Sequence, residues 1–250
     1  MKAYVVVMRA HWGYSIRNYF ASKATNTYIV PPLNTVIGAL GMANSARRGF
    51  HVENFRDSSS ARSFIGHVKY VAFSFDYRPI KFTTMVRFST AIYWLTAHDI
   101  ETGQALSNLF NPIQLGLNSY FNGIIRMLVL TDLSRADLYS ITRLGSKESI
   151  VAVESVDGSV NIKRVKGKVS NVTFSFNKDL VNTIVGSFFP EIVPAFNEAY
   201  YNYSPLSNVE IKTEVVLVPN PVVSVSTEGE VCVFETSYGN ALGPGEVCDV

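Results

Sequence analysis

The chain has 250 residues, enough for one large domain or two modest ones, and its 47% hydrophobic content excludes a disordered protein. Its longest apolar runs, such as Tyr4 to Met8, are too short to span a bilayer, and no cleavage-site pattern follows an apolar start, so a cytoplasmic protein with no membrane partner is expected. The net charge of +2 conceals a gradient: residues 1–100 carry +8, residues 101–200 zero and residues 201–250 −6, which points to a polyanion partner for the first half.

Lys2 to Arg9 is rich in Val and predicts a first strand. Residues 10–30 form a long polar and aromatic stretch without a period, and a loop of that length in a compact domain is usually functional. Pro31 and Pro32 then set up a helix, with either Pro32 in its first turn or Asn34 as its N-cap. Leu33, Val36, Ile37 and Leu40 recur at helical spacing and predict a buried face. Gly38 and Gly41 cost helix propensity, which implies close packing on a sheet, and the helix should end near Arg47-Arg48-Gly49.

Beyond a polar stretch, His67 to Tyr77 and Lys81 to Trp94 predict a strand pair joined by Arg78-Pro79-Ile80. His98 to Tyr120 is ambiguous. Ile124 to Leu130 predicts a strand, Leu133 to Arg143 a short helix beginning after Asp132, and Ile150 to Val156 a further strand. Strand, helix, strands, helix, strand is the order of a ferredoxin-like αβ sandwich, an α+β fold, assigned to residues 1–158. Residues 159–250 predict a smaller β-rich region. It comprises a hairpin of Val160 to Lys168 and Val169 to Phe176 turning near Gly167, an apolar segment over 180–203 broken by Pro190 and Pro194, and three short strands. Those are Val209 to Val218, Val222 to Ser226 and Val231 to Thr236. Cys232 and Cys248 are read as ordinary thiols, with a disulfide as the alternative.

Four segments carry candidate chemistry. The loop through Arg17, Tyr19, Lys23, Thr25, Asn26, Thr27 and Tyr28, preceded by His11, Trp12 and Tyr14, interleaves cations with aromatics. Cations neutralise phosphates while aromatics stack on unpaired bases, so this is a pattern for single-stranded RNA; the alternative is a loop whose aromatics cover the core. Asn34 and Thr35 could cap the helix or join its free N–H groups in holding a phosphate. Arg143, Gly145 and Lys147, around Ser146, offer close backbone approach with cations alongside, or a plain helix end with a solvated lysine. On a strand, Arg164, Lys166 and Lys168 would share one face, to track a nucleic-acid backbone or to guard a sheet edge.

No glycine-rich phosphate loop, nucleophile elbow or paired metal motif occurs in the sequence, so no catalytic residue, cofactor or metal site is assigned. Metal-independent RNA cleavage needs a base, an acid and a cation near one phosphate. His11, Tyr14 and Lys23 supply those types, and an endoribonuclease stands as an alternative to a binding protein.

The run Thr27-Tyr28-Ile29-Val30-Pro31-Pro32-Leu33-Asn34-Thr35-Val36-Ile37-Gly38-Ala39-Leu40 resembles the Thr-Tyr-x-x-Pro-Pro-x-x-Thr-x-x-Gly-x-Leu signature of the Cas-five family of CRISPR-associated RAMP proteins. Leu144-Gly145-Ser146-Lys147-Glu148-Ser149 resembles that family's second motif, and the surrounding detail is most similar to its archaeal type I-A branch. The resemblance implies a non-catalytic Cascade subunit that binds the 5′ handle of the CRISPR RNA and caps the RAMP filament in antiviral defence. It also implies contact with the large subunit, and with target DNA only through the complex, where the guide reads sequence by base pairing. A purely structural interaction subunit is the remaining alternative.

Overall fold

Strand β1, Lys2–Ala10, is buried along nearly its whole length because both of its faces are covered. The computed structural model describes residues 1–16, 24–25, 27–48, 60–86, 113–119, 123–146, 149–201 and 212–249. On one face Val6 and Met8 join the cluster that includes Val36, Ile37 and Leu40; on the other Val5 and Val7 meet Phe174 and Phe234. That two-sided burial explains why the strand reads as an unbroken apolar run rather than an alternation.

After β1 come β2 (Ala24–Thr25), helix α1 (Leu33–Arg48) and a 3-10 helix (Ser60–His67). Next are β3 (Val68–Phe75), β4 (Ile80–Val86), β5 (Ile113–Ser119), β6 (Ile124–Thr131), helix α2 (Arg135–Tyr139) and β7 (Val151–Asp157). The remainder holds β8 (Asn161–Val172), β9 (Phe176–Asn177), β10 (Thr183–Pro194), β11 (Thr213–Thr236) and β12 (Gly239–Pro244). The first sheet has the order β3-β6-β1-β7 with antiparallel neighbours throughout. A second, five-stranded sheet runs β10-β11-β12-β8 with β9 added to β11, and a third runs β2-β5-β4. The protein is therefore a sheet-rich αβ fold with few helices. None of them, among the described residues, is long and apolar enough to cross a membrane.

Helix α1 carries its predicted apolar face: Val36, Ile37 and Leu40 are fully buried. Its start is set by Pro32, whose carbonyl accepts from the Thr35 and Val36 amides at 2.9 and 3.3 Å, so Asn34 lies inside the helix rather than capping it. The glycines divide. A Cβ on Gly41 would lie 2.7 Å from the Ala61 Cα, so Gly41 serves close packing, but against the 3-10 helix and not a sheet. Gly38 has nothing within 4 Å of that position and no packing role.

Several expected elements are corrected. β3 and β4 do not pair; β3 joins β6, placing Ala72 and Phe73 opposite Leu128 and Met127, while β4 leaves for β5 in another sheet. Helix α2 is shorter than predicted. Ser134 caps it in a reciprocal box with Asp137, and the chain leaves at Ser140 so that Ile141 and Leu144 can enter the core. The hairpin expected at Gly167 is instead one strand, β8, in which Gly167 sits at φ +99 opposite Thr227 beside a register shift. Likewise the expected strands Val222 to Ser226 and Val231 to Thr236, and residues 213–218 of the expected Val209 to Val218, fall within the 24-residue β11, which absorbs its Pro and Gly signals as register shifts and a cis Asn220-Pro221 bond, while residues 209–211 lie outside the described residues. The prolines at 190 and 194 lie within β10, at the edge of its sheet.

Cys232 and Cys248 form a disulfide, with Cα atoms 5.4 Å apart, so the expectation of ordinary thiols is overturned. The 3-10 turn Gly245–Asp249 folds back from β12 and brings Cys248 over the buried Cys232. Side chains from both sides of residue 158 share two of the hydrophobic clusters, with Phe189, Val193, Val216 and Val218 reaching the α1 side.

Candidate nucleic-acid interface

Residues 14–16, between β1 and the basic loop, are where the two sequence motifs meet. Tyr14 is fully buried and its hydroxyl donates to the Ile29 carbonyl. The Ser15 amide donates to Ser149 Oγ at 2.8 Å, and the Ser15 carbonyl accepts from Ser149 Oγ at 3.1 Å and from the Ser146 amide at 2.8 Å. The Ile16 amide donates to Thr27 Oγ1 at 2.9 Å, and the Ile16 carbonyl accepts from the Tyr28 amide at 3.4 Å. Gly145 adopts φ +115, and a Cβ there would fall 2.4 Å from the Ser15 oxygen, so only glycine lets the second motif close onto this segment.

A second anchor reaches the same motif from the C-terminal sheet. Glu191 of β10 is buried, and its carboxylate accepts from the Ile29 amide at 2.9 Å and the Val30 amide at 2.8 Å. Lys81 of β4, half exposed, completes the arrangement at 2.6 Å from Glu191 Oε1. Outside these contacts opens a cleft of about 830 Å³ lined by Tyr28, Arg78, Ile80, Lys81 and Phe189. The Arg78 guanidinium lies 4.9 Å above the Phe189 ring, holding a cation at the cleft's rim.

The predicted site residues are distributed unevenly over this arrangement. Thr27 and Tyr28 are buried and bonded to the Ile16 backbone, and Gly145 packs against the Ser15 carbonyl. Asn34 is buried with its carbonyl accepting from Tyr201 Oη at 3.0 Å, while Thr35 is half-buried one residue on. Pro31 and Pro32 bring no N–H, and the Thr35 and Val36 amides are engaged by the Pro32 carbonyl. Arg143 is half-buried and pairs through its backbone with Ile150. Thr25 belongs to β2, whose backbone pairs with β5. Arg17, Tyr19, Lys23, Asn26 and Lys147 lie outside the described residues.

On β8, Arg164 is engaged by Asp249 and by Glu230 at 3.3 Å. Asp249, then Glu230, hold the guanidinium even more firmly protonated than usual, and its charge faces carboxylates already present. Next to it Lys163 and Asn161 bond Glu235 and draw that carboxyl below its ordinary range. Lys166 and Lys168 are exposed on the same strand. No group of three or more His, Cys, Asp or Glu among the described residues is placed to hold a metal.

Sequence reasoning missed Ser15, Ser149, Glu191, Arg78 and Lys81. A lone Glu within the run Phe188 to Val193 is a detectable signal, because a carboxylate between apolar residues needs paired donors. The serines carry no signal of their own.

No family model matches the chain. The chain is 29% identical over 209 residues to the CRISPR system aCascade subunit Cas5 1 of Saccharolobus solfataricus, covering 78% of this chain and 80% of that protein. This chain is similar to Cas5. A second relative from that organism, CRISPR-associated protein Cas5 3, is 28% identical over the same shares. A crystal structure of a CRISPR protein from Archaeoglobus fulgidus superimposes on this chain with a TM-score of 0.60 at 19% identity, covering 98% of this chain and 99% of that one. That likeness shows a shared fold over almost the whole length.

Proposed function

We propose that this protein is a non-catalytic RNA-binding subunit of a type I CRISPR Cascade complex, of the type I-A branch, holding the 5′ handle of the CRISPR RNA and capping the RAMP filament. The observation that carries this reading is the convergence of both motifs on residues 14–16, which fixes the described residues on either side of the basic, aromatic sequence 17–26. A loop fixed at both ends loses less entropy when it grips a ligand. The strand order of the first sheet, with helices after β1 and β6, supports a ferredoxin-like reading of residues 1–158, with 159–250 as the β-rich partner. In RNA-recognition modules of that kind the open sheet face stacks bases. Here Phe174 and Phe234 cover that face, which leaves the loop and the Arg78–Lys81 cleft for RNA. The filament and large subunits, and target DNA through them, are the partners that follow, in the cytoplasm.

Labelled precursor RNA, incubated in EDTA with the protein alone and with the filament subunit, tests this reading. Salt-sensitive binding without product supports it. Cleavage by the lone protein replaces it with an endoribonuclease, and assembly with the filament subunit but no RNA binding reduces it to a structural role.

A further inference from the structure

Cys232 of β11 and Arg164 of β8 lie opposite each other in the sheet, and the 3-10 turn Gly245–Asp249 is tied to both. Cys248 is bonded to Cys232, and the next residue, Asp249, sets its carboxylate on the Arg164 guanidinium. One turn thus carries a covalent and an ionic tie onto two neighbouring strands. Little else holds it. None of its five residues is buried, and a 3-10 turn closes with poorer hydrogen bonds than an α-helix. Val247 and Cys248 pack on the cluster around Phe234 but stay half-buried. The ion pair is open to solvent, 41% on Arg164 and 68% on Asp249, and pairs at that exposure contribute little alone. The crosslink is therefore what keeps Asp249 on Arg164.

We propose that this turn is a redox-released latch: reduction of the Cys232–Cys248 bond frees Arg164 to join Lys166 and Lys168 in holding an RNA phosphate backbone. The inference rests on the RNA-binding reading above. Lys166 and Lys168 follow Arg164 on β8, exposed and, among the described residues, without an ion-pair partner. While the disulfide stands, Asp249 occupies the place a phosphate would take and the strand is blocked at Arg164. Once the turn lifts, Arg164 keeps only Glu230, 3.3 Å away and itself 62% exposed, a contact that a phosphate can displace. Cys248 is the sulfur within reach, because Cys232 is fully buried. A thiolate of a dithiol reductant attacks Cys248 Sγ, the S–S bond breaks, and Cys232 leaves as a thiolate that takes up a proton. The reductant's second thiol then attacks the mixed disulfide and releases Cys248 as a thiol. The protein gains two electrons and two protons, and the reductant is oxidised to its own cyclic disulfide.

The test measures binding of a single-stranded RNA carrying the 5′ handle against salt, using the full-length protein, disulfide-bonded and after dithiothreitol. Reduction should steepen the slope of log K against log salt by about 0.7, the increment for one further phosphate contact on a single strand. Arg164→Ala should abolish that difference, and Asp249→Asn should produce it with the disulfide intact. Cys248→Ser, which cannot form the bond, replaces the reduced protein if dithiothreitol fails to reach the sulfur. Hydrogen exchange reads the latch without RNA: the turn's amides should lose protection on reduction while those of β1 keep theirs. Equal slopes for the bonded, reduced and Cys248→Ser proteins overturn the proposal, as does a steepening that survives in Arg164→Ala. Loss of protection throughout β8 and β11 on reduction also overturns it, making the bond a structural staple. Absence of RNA binding in both forms, alone and with the filament subunit, overturns the functional reading beneath it.

Discussion

Ser149 accepts from the Ser15 amide at 2.8 Å and returns its hydroxyl to the Ser15 carbonyl at 3.1 Å, across 134 residues of sequence. Both residues are buried, so water cannot replace either bond. Ser149→Ala should therefore destabilise the protein by roughly 1–3 kcal/mol, because a buried amide is left without its acceptor. A fall of about 2–4 °C in Tm per kcal/mol is expected for a chain of this size, and a melting curve within about 1 °C of the parent would contradict the lock.

The Glu191 anchor predicts an asymmetry between its partners. Glu191→Ala strands the buried Ile29 and Val30 amides and should cost roughly 2–4 kcal/mol. Lys81→Ala removes a half-exposed cation from a carboxylate that keeps both amides, and should cost below about 1 kcal/mol. Chemical denaturation of the two variants compares these directly; equal losses would show that the ion pair, not the amide bonds, does the anchoring.

Three glycines that look alike in sequence should part in experiment. Gly38→Ala meets open space in a helix and should stabilise by about 0.5–1 kcal/mol. Gly41→Ala drives its methyl against the Ala61 backbone, and Gly145→Ala combines a clash with Ser15 and a left-handed φ. Both should be destabilising by more than Gly38→Ala gains. Melting curves of the three variants check the order, and a stabilised Gly145→Ala would contradict the tight approach to Ser15.

Helix α1 and strand β1 were legible in the sequence because local period and burial agree: Val36, Ile37 and Leu40 repeat at helical spacing and all three are fully buried. Strands β8 and β11 were not, since Gly167, Pro219, Pro221 and Gly229 signal local breaks, and only the neighbouring strands let the sheet bulge past them. The disulfide depended on a C-terminal turn that folds back over β11. At the site, the polar and aromatic character of Thr27 and Tyr28 suits RNA contact. Both are buried and bonded to the Ile16 backbone, and both line the cleft, a placement set by contacts distant in sequence.

Salt dependence should sort the basic residues. Removing one cation that neutralises a phosphate lowers the slope of log K against log salt by about 0.7 for a single strand. Arg17→Ala and Lys23→Ala should each show that reduction. Arg164→Ala should leave the slope unchanged, because Asp249 and Glu230 already engage its charge. Lys166→Ala with Lys168→Ala decides whether β8 touches RNA at all, an unchanged slope removing that strand from the interface.

Glu214, on β11, predicts a pH dependence with a definite sign. Burial pushes its carboxyl above the ordinary range, with Asp179 adding to the shift and a hydrogen bond from Asn177 at 2.8 Å opposing it. A raised carboxyl pKa means that the folded protein binds the proton more tightly than the unfolded chain. The stabilising contribution is complete below the unfolded value near 4.5 and is lost as pH rises through the folded value. Glu214→Gln keeps an acceptor for Asn177 but cannot ionise. It should therefore be more stable than the parent at pH 7. The gap should close as pH falls toward about 4, where the parent carboxyl is protonated in both states. Paired denaturation curves at neutral and acidic pH measure it, and a gap that widens on acidification would mean that Glu214 is held ionised by a partner rather than penalised by burial.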